Sequence, residues 1–287
     1  MLSYTILFSL QINYKNVNDS NLKIDNNTSD LIVMRLNISM FTLKTEPQNS
    51  QQVLEQGFSL YKLSFASALP YSFLAAILMI APYSLSILYS MSNNIVGHHK
   101  IWLWIMAISW LGGFTILSGL IFRLYCICYN VPSHFVSSIQ QALFKLIPLL
   151  LLLALYCLIV LSGTMLLIIP GLILTISLMF SFILVITDNQ NVLQTLTLSH
   201  RLVWGQWWHV ACVISVPLLL NIIFTMSVLL SAILMLTKIQ SKTMDIITTT
   251  TLLNIIVQTI FIPLIFSVVL VLLHDLRRRA FQKLPRW

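Results

Sequence analysis

From Leu146 to Ile186 the chain runs without a single charged residue. A membrane-spanning helix uses about 20 residues, so this run is too long for one span and long enough for two. Gly163 and Pro170-Gly171 lie where it should fold back, because proline removes a backbone donor and glycine permits a tight bend. Four more apolar stretches of spanning length lie near Phe65–Tyr89, Trp102–Cys126, Trp207–Leu236 and Thr248–His274. The expected fold is all-α, a polytopic bundle of about six transmembrane helices with short interfacial helices. Composition excludes the water-soluble alternative. Only 8% of residues are charged and 58% are hydrophobic, against roughly 25% charged in a soluble domain.

Three regions are expected. Residues 1–52 read as a polar, disordered tail, with Met40 as a possible true start. Residues 53–276 hold the membrane domain, and 277–287 form a basic cytoplasmic tail. The Asn26-Asn27-Thr28-Ser29 stretch contains two overlapping glycosylation triplets, which should be silent in a cytosolic tail. Orientation follows from Arg277, Arg278, Arg279, Lys283 and Arg286, a cluster that should stay in the cytoplasm and so place both termini there. The formal net charge of +8 fits anionic lipid headgroups better than nucleic acid, which is not expected as a partner. Cys126, Cys128, Cys157 and Cys212 lie in or beside apolar segments and should pack as small hydrophobes.

An internal repeat is visible. VLEQGFSLYKL from Val53, VSSIQQALFKL from Val136 and VLQTLTLSHRL from Val192 each place a basic residue nine positions after Val, followed by Leu. Those basic residues are Lys62, Lys145 and Arg201. Each segment reads as an interfacial helix leading into a pair of spans, with its cation near the phosphate plane.

The stretch 166–208 combines Ile169-Pro170-Gly171, Asp188, Ser199, Arg201-Leu202, Gly205 and Trp207. This pattern resembles the YciC-type bacterial inner-membrane proteins, a family of unknown function. It also resembles the membrane domain attached to some glycerophosphodiester phosphodiesterases. The likeness extends loosely over residues 53–280 and departs at His200, where the family varies. It implies a multi-pass protein of the bacterial inner membrane. The phosphodiesterase activity belongs to a separate soluble domain of those relatives, so the resemblance does not carry it here. In physical terms, Pro170 suits a first helical turn, Asp188 is placed to cap the following helix, and Gly205 permits a break before Trp207.

No G-x-S-x-G, H-E-x-x-H or phosphate-gripping glycine loop is present. No catalytic residue, cofactor or metal site is therefore expected, and His98-His99 reads as a solvated loop. No charged residue falls at the centre of an expected span, which weighs against a proton-coupled transporter. Asn221, Asn254 and Gln258 are candidates for a polar path, although helix-to-helix hydrogen bonding explains them more simply. Ser109, Gly113, Thr115 and Gly119 should let a neighbouring helix, or a second copy, approach closely. The favoured expectation is a non-enzymatic envelope protein that organises lipids or partner proteins. A transporter or channel and an accessory subunit of a lipid-modifying enzyme are the alternatives.

Overall fold

The computed structural model describes residues 41–43, 46–92, 99–188, 191–238 and 243–282, all within the unit Phe41–Trp287. The expectations about Met40 and the glycosylation triplets lie outside these residues, as do His98, Lys283 and Arg286. All regular structure among the described residues is α-helical. The elements are α1 (Ser50–Ser92), α2 (His99–Cys128), α3 (Phe135–Phe144), α4 (Leu146–Leu166), α5 (Ile168–Leu178), α6 (Phe180–Thr187), α7 (Val192–Val203), α8 (Trp207–Lys238) and α9 (Thr243–Gln282). Between α5 and α6, Met179 keeps helical dihedrals (φ −58°, ψ −37°), so the two act as one span.

Six helices are long and apolar enough to cross a membrane: Ser50–Ile87, Ile101–Cys128, Leu146–Leu166, Ile168–Thr187, Trp207–Leu236 and Asp245–Gln282. On α8, Leu219, Ile223, Met226, Leu230 and Leu234 are exposed. In water such a stripe would be an aggregation surface, whereas hydrocarbon solvates it at no cost. The chain is an integral, multi-pass membrane protein.

α1 and α9 pack antiparallel. Gly57 lies against Val268, where an added Cβ would come within 2.7 Å of the Val268 side chain. Further along, the Ser72 hydroxyl donates to the Thr259 carbonyl at 2.9 Å, and Thr251 donates to the Ser84 hydroxyl at 2.8 Å. α2 runs beside α1, and Gly113 and Gly119 face Met79 and Tyr71. The small residues of α2 thus serve close approach within the chain. Leu120, Leu124, Leu149, Phe180, Leu184 and Leu272 are among the fully buried side chains of the core.

Several details differ from the sequence reading. The apolar run folds back at Leu167, which is extended (φ −161°, ψ 145°). Gly163 and Gly171 lie inside α4 and α5 and serve close approach instead of bending. An added Cβ on Gly163 would meet the Gly171 backbone at 3.3 Å, and one on Gly171 would meet the Thr164 backbone at 2.8 Å. The first repeat segment is no separate interfacial helix but the start of the 43-residue α1. The second and third segments do form short helices, α3 and α7. They are not equivalent, since Val53 and Val192 are buried whereas Val136 is exposed.

Residues 41–43 and 46–52 are not a free tail. Phe41 and Gln48 are buried, and the Phe41 carbonyl accepts from the Asn130 side chain at 3.0 Å. At the other end, α9 continues through Arg277, Arg278 and Arg279 to Gln282, so the basic tail begins as packed helix. Arg277 and Arg279 are drawn into the fold by Asp188 and Asp275, which the local sequence does not reveal.

Between α7 and α8 the chain makes a type II turn. Trp204 (φ −58°, ψ 126°) is followed by Gly205 at φ +83°, and Gln206 N–H donates to the Val203 carbonyl at 2.9 Å. Nothing lies within 4 Å of a Cβ added at Gly205. Gly205→Ala should therefore cost about 1–2 kcal/mol from backbone conformation alone, measurable as a lowered midpoint of unfolding in detergent.

Candidate functional site

The fold gathers one end of the bundle into a polar cap. It joins the lead-in and start of α1, the end of α2, the end of α6, the start of α8 and the end of α9. Two carboxylates organise it, one buried and one half-buried.

The first is Asp275, 3% exposed. Its Oδ1 accepts the Gln48 backbone N–H at 2.8 Å, and its Oδ2 accepts Arg279 Nε at 2.7 Å. Arg279 also donates to the Gln48 carbonyl, fastening the lead-in segment to α9. Gln48 in turn donates through its side chain to Gln56 at 2.7 Å, and Gln56 donates to the Thr42 carbonyl at 2.9 Å. His209, in the first turn of α8, places Nε2 3.4 Å from Asp275 Oδ2, and its Nδ1 lies 2.9 Å from the Ser50 hydroxyl. His209 Nε2 makes no hydrogen bond among the described residues; an imidazole protonated there would turn that N–H toward Asp275 and accept the Ser50 hydroxyl at Nδ1.

The second carboxylate is Asp188. The sequence suggests a helix cap, but the residue before α7 is Asn191, and Asp188 ends α6 instead. Its Oδ2 accepts Arg277 Nη2 at 2.8 Å and its Oδ1 accepts the Thr187 hydroxyl at 3.0 Å. Nearby, Arg278 Nε donates to His274 Nε2 at 3.3 Å, which leaves Nδ1–H of a neutral His274 to donate to Tyr129 Oη at 3.2 Å. Burial holds the Tyr129 phenol above its ordinary pKa, so it stays neutral.

The other residues of the sequence pattern are structural. Pro170 sits in the first turn of α5, where its missing N–H has no intrahelical acceptor to lose. The buried Ser199 hydroxyl donates to the Ser177 carbonyl at 2.6 Å, holding α7 against α5. Trp207 stacks on Trp208 with ring centroids 4.0 Å apart. Arg201 lies in the last turn of α7 and is exposed, as is Lys62 on α1; Lys145 is half-buried at the junction of α3 and α4.

Asn221 and Gln258 join α8 to α9. Asn221 Nδ2 donates to Gln258 Oε1 at 3.2 Å, Gln258 Nε2 returns to Asn221 Oδ1 at 3.4 Å, and Thr225 donates to the same oxygen at 3.3 Å. Asn254 is outside this pairing, with its Oδ1 buried and without a hydrogen-bond partner among the described residues. An apolar cavity of about 220 Å³ lies between α2, α4, α5–α6 and α9, with Phe114, Ile121, Leu149, Phe182, Ile186 and Phe266 in its wall.

The sequence reading missed Ser50, His209, Gln48 and Asp275 as a group. Ser50 and His209 are 159 residues apart, and no spacing rule connects them. The weak available signal was a carboxylate at the end of an apolar helix, where a buried charge needs partners. None of the family models, curated proteins or solved structures compared with this chain matches it.

Proposed function

We propose that this protein is a YciC-type component of a bacterial inner membrane, with both termini in the cytoplasm. In this reading its polar end organises anionic lipid headgroups, and a partner protein docks on the same basic face. The observation that carries it is the division of the cations. Arg277 and Arg279 are held by Asp188 and Asp275. Lys62 and Arg201 are exposed, with no carboxylate at ion-pair distance among the described residues. Exposed, unneutralised cations beside a bilayer attract anionic headgroups at about 1 kcal/mol each. The apolar cavity suits a hydrocarbon chain better than a hydrated solute, and the Asn221–Gln258 pairing satisfies amides that a solute path would need. This role requires no bond-making step.

Native mass spectrometry in nanodiscs containing an anionic phospholipid tests it. The double variant Lys62→Gln, Arg201→Gln should weaken retention of that lipid by on the order of thirtyfold, from about 1 kcal/mol per cation. Unchanged retention would remove the headgroup reading.

A further inference from the structure

Ser50, His209 and Asp275 make a chain of contacts that the organising role does not use. Ser50 Oγ lies 2.9 Å from His209 Nδ1, and His209 Nε2 lies 3.4 Å from Asp275 Oδ2. We propose that these residues form a serine-hydrolase site, with Ser50 as nucleophile, His209 as general base and Asp275 as the group that orients the imidazole, acting on carboxylic esters of lipids at the membrane surface. The proposal goes beyond the headgroup reading and does not depend on it.

The serine–histidine contact has hydrogen-bond geometry, and the histidine–carboxylate contact is at ion-pair distance. A nucleophilic hydroxyl must sit within hydrogen-bond reach of a base whose other nitrogen faces a fixed carboxylate. Asp275 is fixed, since its side chain is 1% exposed and is held by the Gln48 N–H and by Arg279. It orients the Nε2–H tautomer and leaves the Nδ1 lone pair directed at Ser50. The two ring nitrogens are exchanged relative to the familiar serine-protease triad, which alters no proton count. The His209–Asp275 distance is long for a hydrogen bond, and such contacts tighten when substrate binds.

Ser50 is also the first residue of α1. Asn49 precedes the helix and its carbonyl accepts the first intrahelical bond, from Val53 N–H at 3.0 Å. The N–H groups of the first turn have no intrahelical acceptor and lie at the positive end of the helix dipole. They are donors suited to an oxyanion formed at Ser50. His209 directly follows the stacked Trp207–Trp208 pair, and Trp208 is 68% exposed. Indoles favour the headgroup level, which is where the ester carbonyls of glycerolipids lie.

In the reaction, Ser50 Oγ bonds to the ester carbonyl carbon while its proton passes to His209 Nδ1. Collapse of the tetrahedral intermediate breaks the bond to the alcohol oxygen, which takes that proton and departs. Water then attacks the acyl-serine, giving a proton to His209. Release of the carboxylic acid returns that proton to Ser50. The sum is ester plus water to acid plus alcohol, with no other reactant.

The test uses the full chain in nanodiscs, treated with a fluorophosphonate and analysed by intact and peptide mass spectrometry. The expected result is one adduct, on Ser50, absent from Ser50→Ala and formed at least tenfold more slowly in His209→Gln. A purely structural contact would leave the labelling rate unchanged in His209→Gln. Ser50→Ala removes only one part-buried hydrogen bond, so it should keep its unfolding midpoint and isolate chemistry from folding. No adduct on Ser50 in stable wild-type protein, or an equal rate in His209→Gln, would overturn the proposal.

Discussion

Asp275→Ala should destabilise the folded protein by about 3–5 kcal/mol, the range for removing one partner of a buried ion pair. The loss does not fall evenly on the groups left behind. Arg279, with its side chain 24% exposed, can turn toward water. The Gln48 backbone N–H, which Asp275 accepts at 2.8 Å in a buried setting, has no such escape. His209 Nε2 is itself buried, has no hydrogen-bond partner among the described residues, and would lose the carboxylate 3.4 Å away. Asp275→Asn keeps an acceptor for the Gln48 N–H and should cost less than half as much. Unfolding monitored in detergent distinguishes the two. Equal midpoints for wild type and Asp275→Ala would mean that the polar cap does not hold α1, α8 and α9 together.

Gly171→Val should also destabilise the fold, for a steric reason. A Cβ there would lie 2.3 Å from Thr164 Cγ2 and 2.8 Å from both the Thr164 Cα and its backbone nitrogen. The side-chain clash could be relieved by a rotamer change, but the backbone clash cannot. α4 and α5 must therefore separate, and overpacking of this kind costs typically about 1–3 kcal/mol and sometimes more. Thr164→Ala in the same chain should rescue only part of the loss, because the contacts with the Thr164 main chain remain. Full rescue, read from unfolding midpoints of the single and double variants, would show that the two helices do not approach closely at this point.

These cases mark what is legible in the sequence. The six spans follow from hydropathy and length, because hydrocarbon demands long apolar helices whatever they pack against. The α7–α8 break was legible too, since Gly205 must take a positive φ in its turn. The role of Gly163 and Gly171 was misread because glycine serves both bends and close approach, and only the facing helix tells which. Asp188 suited a capping role by local spacing, yet it pairs with Arg277, 89 residues away. The lead-in around Gln48 looked like tail because its bonds run to a residue 227 positions further on. Periodicity carries no record of such pairings. Of the three amides read as helix-to-helix partners, Asn221 and Gln258 pair across α8 and α9, whereas the Asn254 Oδ1 has no hydrogen-bond partner among the described residues.

The central claim is that the chain crosses the membrane six times and brings the start of α1 and the end of α9 to one polar end, opposite the α4–α5 turn. Single cysteines at Glu46, Leu167 and Gln282, in a background lacking the four native cysteines, test this with a membrane-impermeant maleimide applied to oriented vesicles. Glu46→Cys and Gln282→Cys should react from one side and Leu167→Cys only from the other. Reaction of Leu167→Cys from the same side as the other two, or of Glu46→Cys and Gln282→Cys from opposite sides, would contradict it.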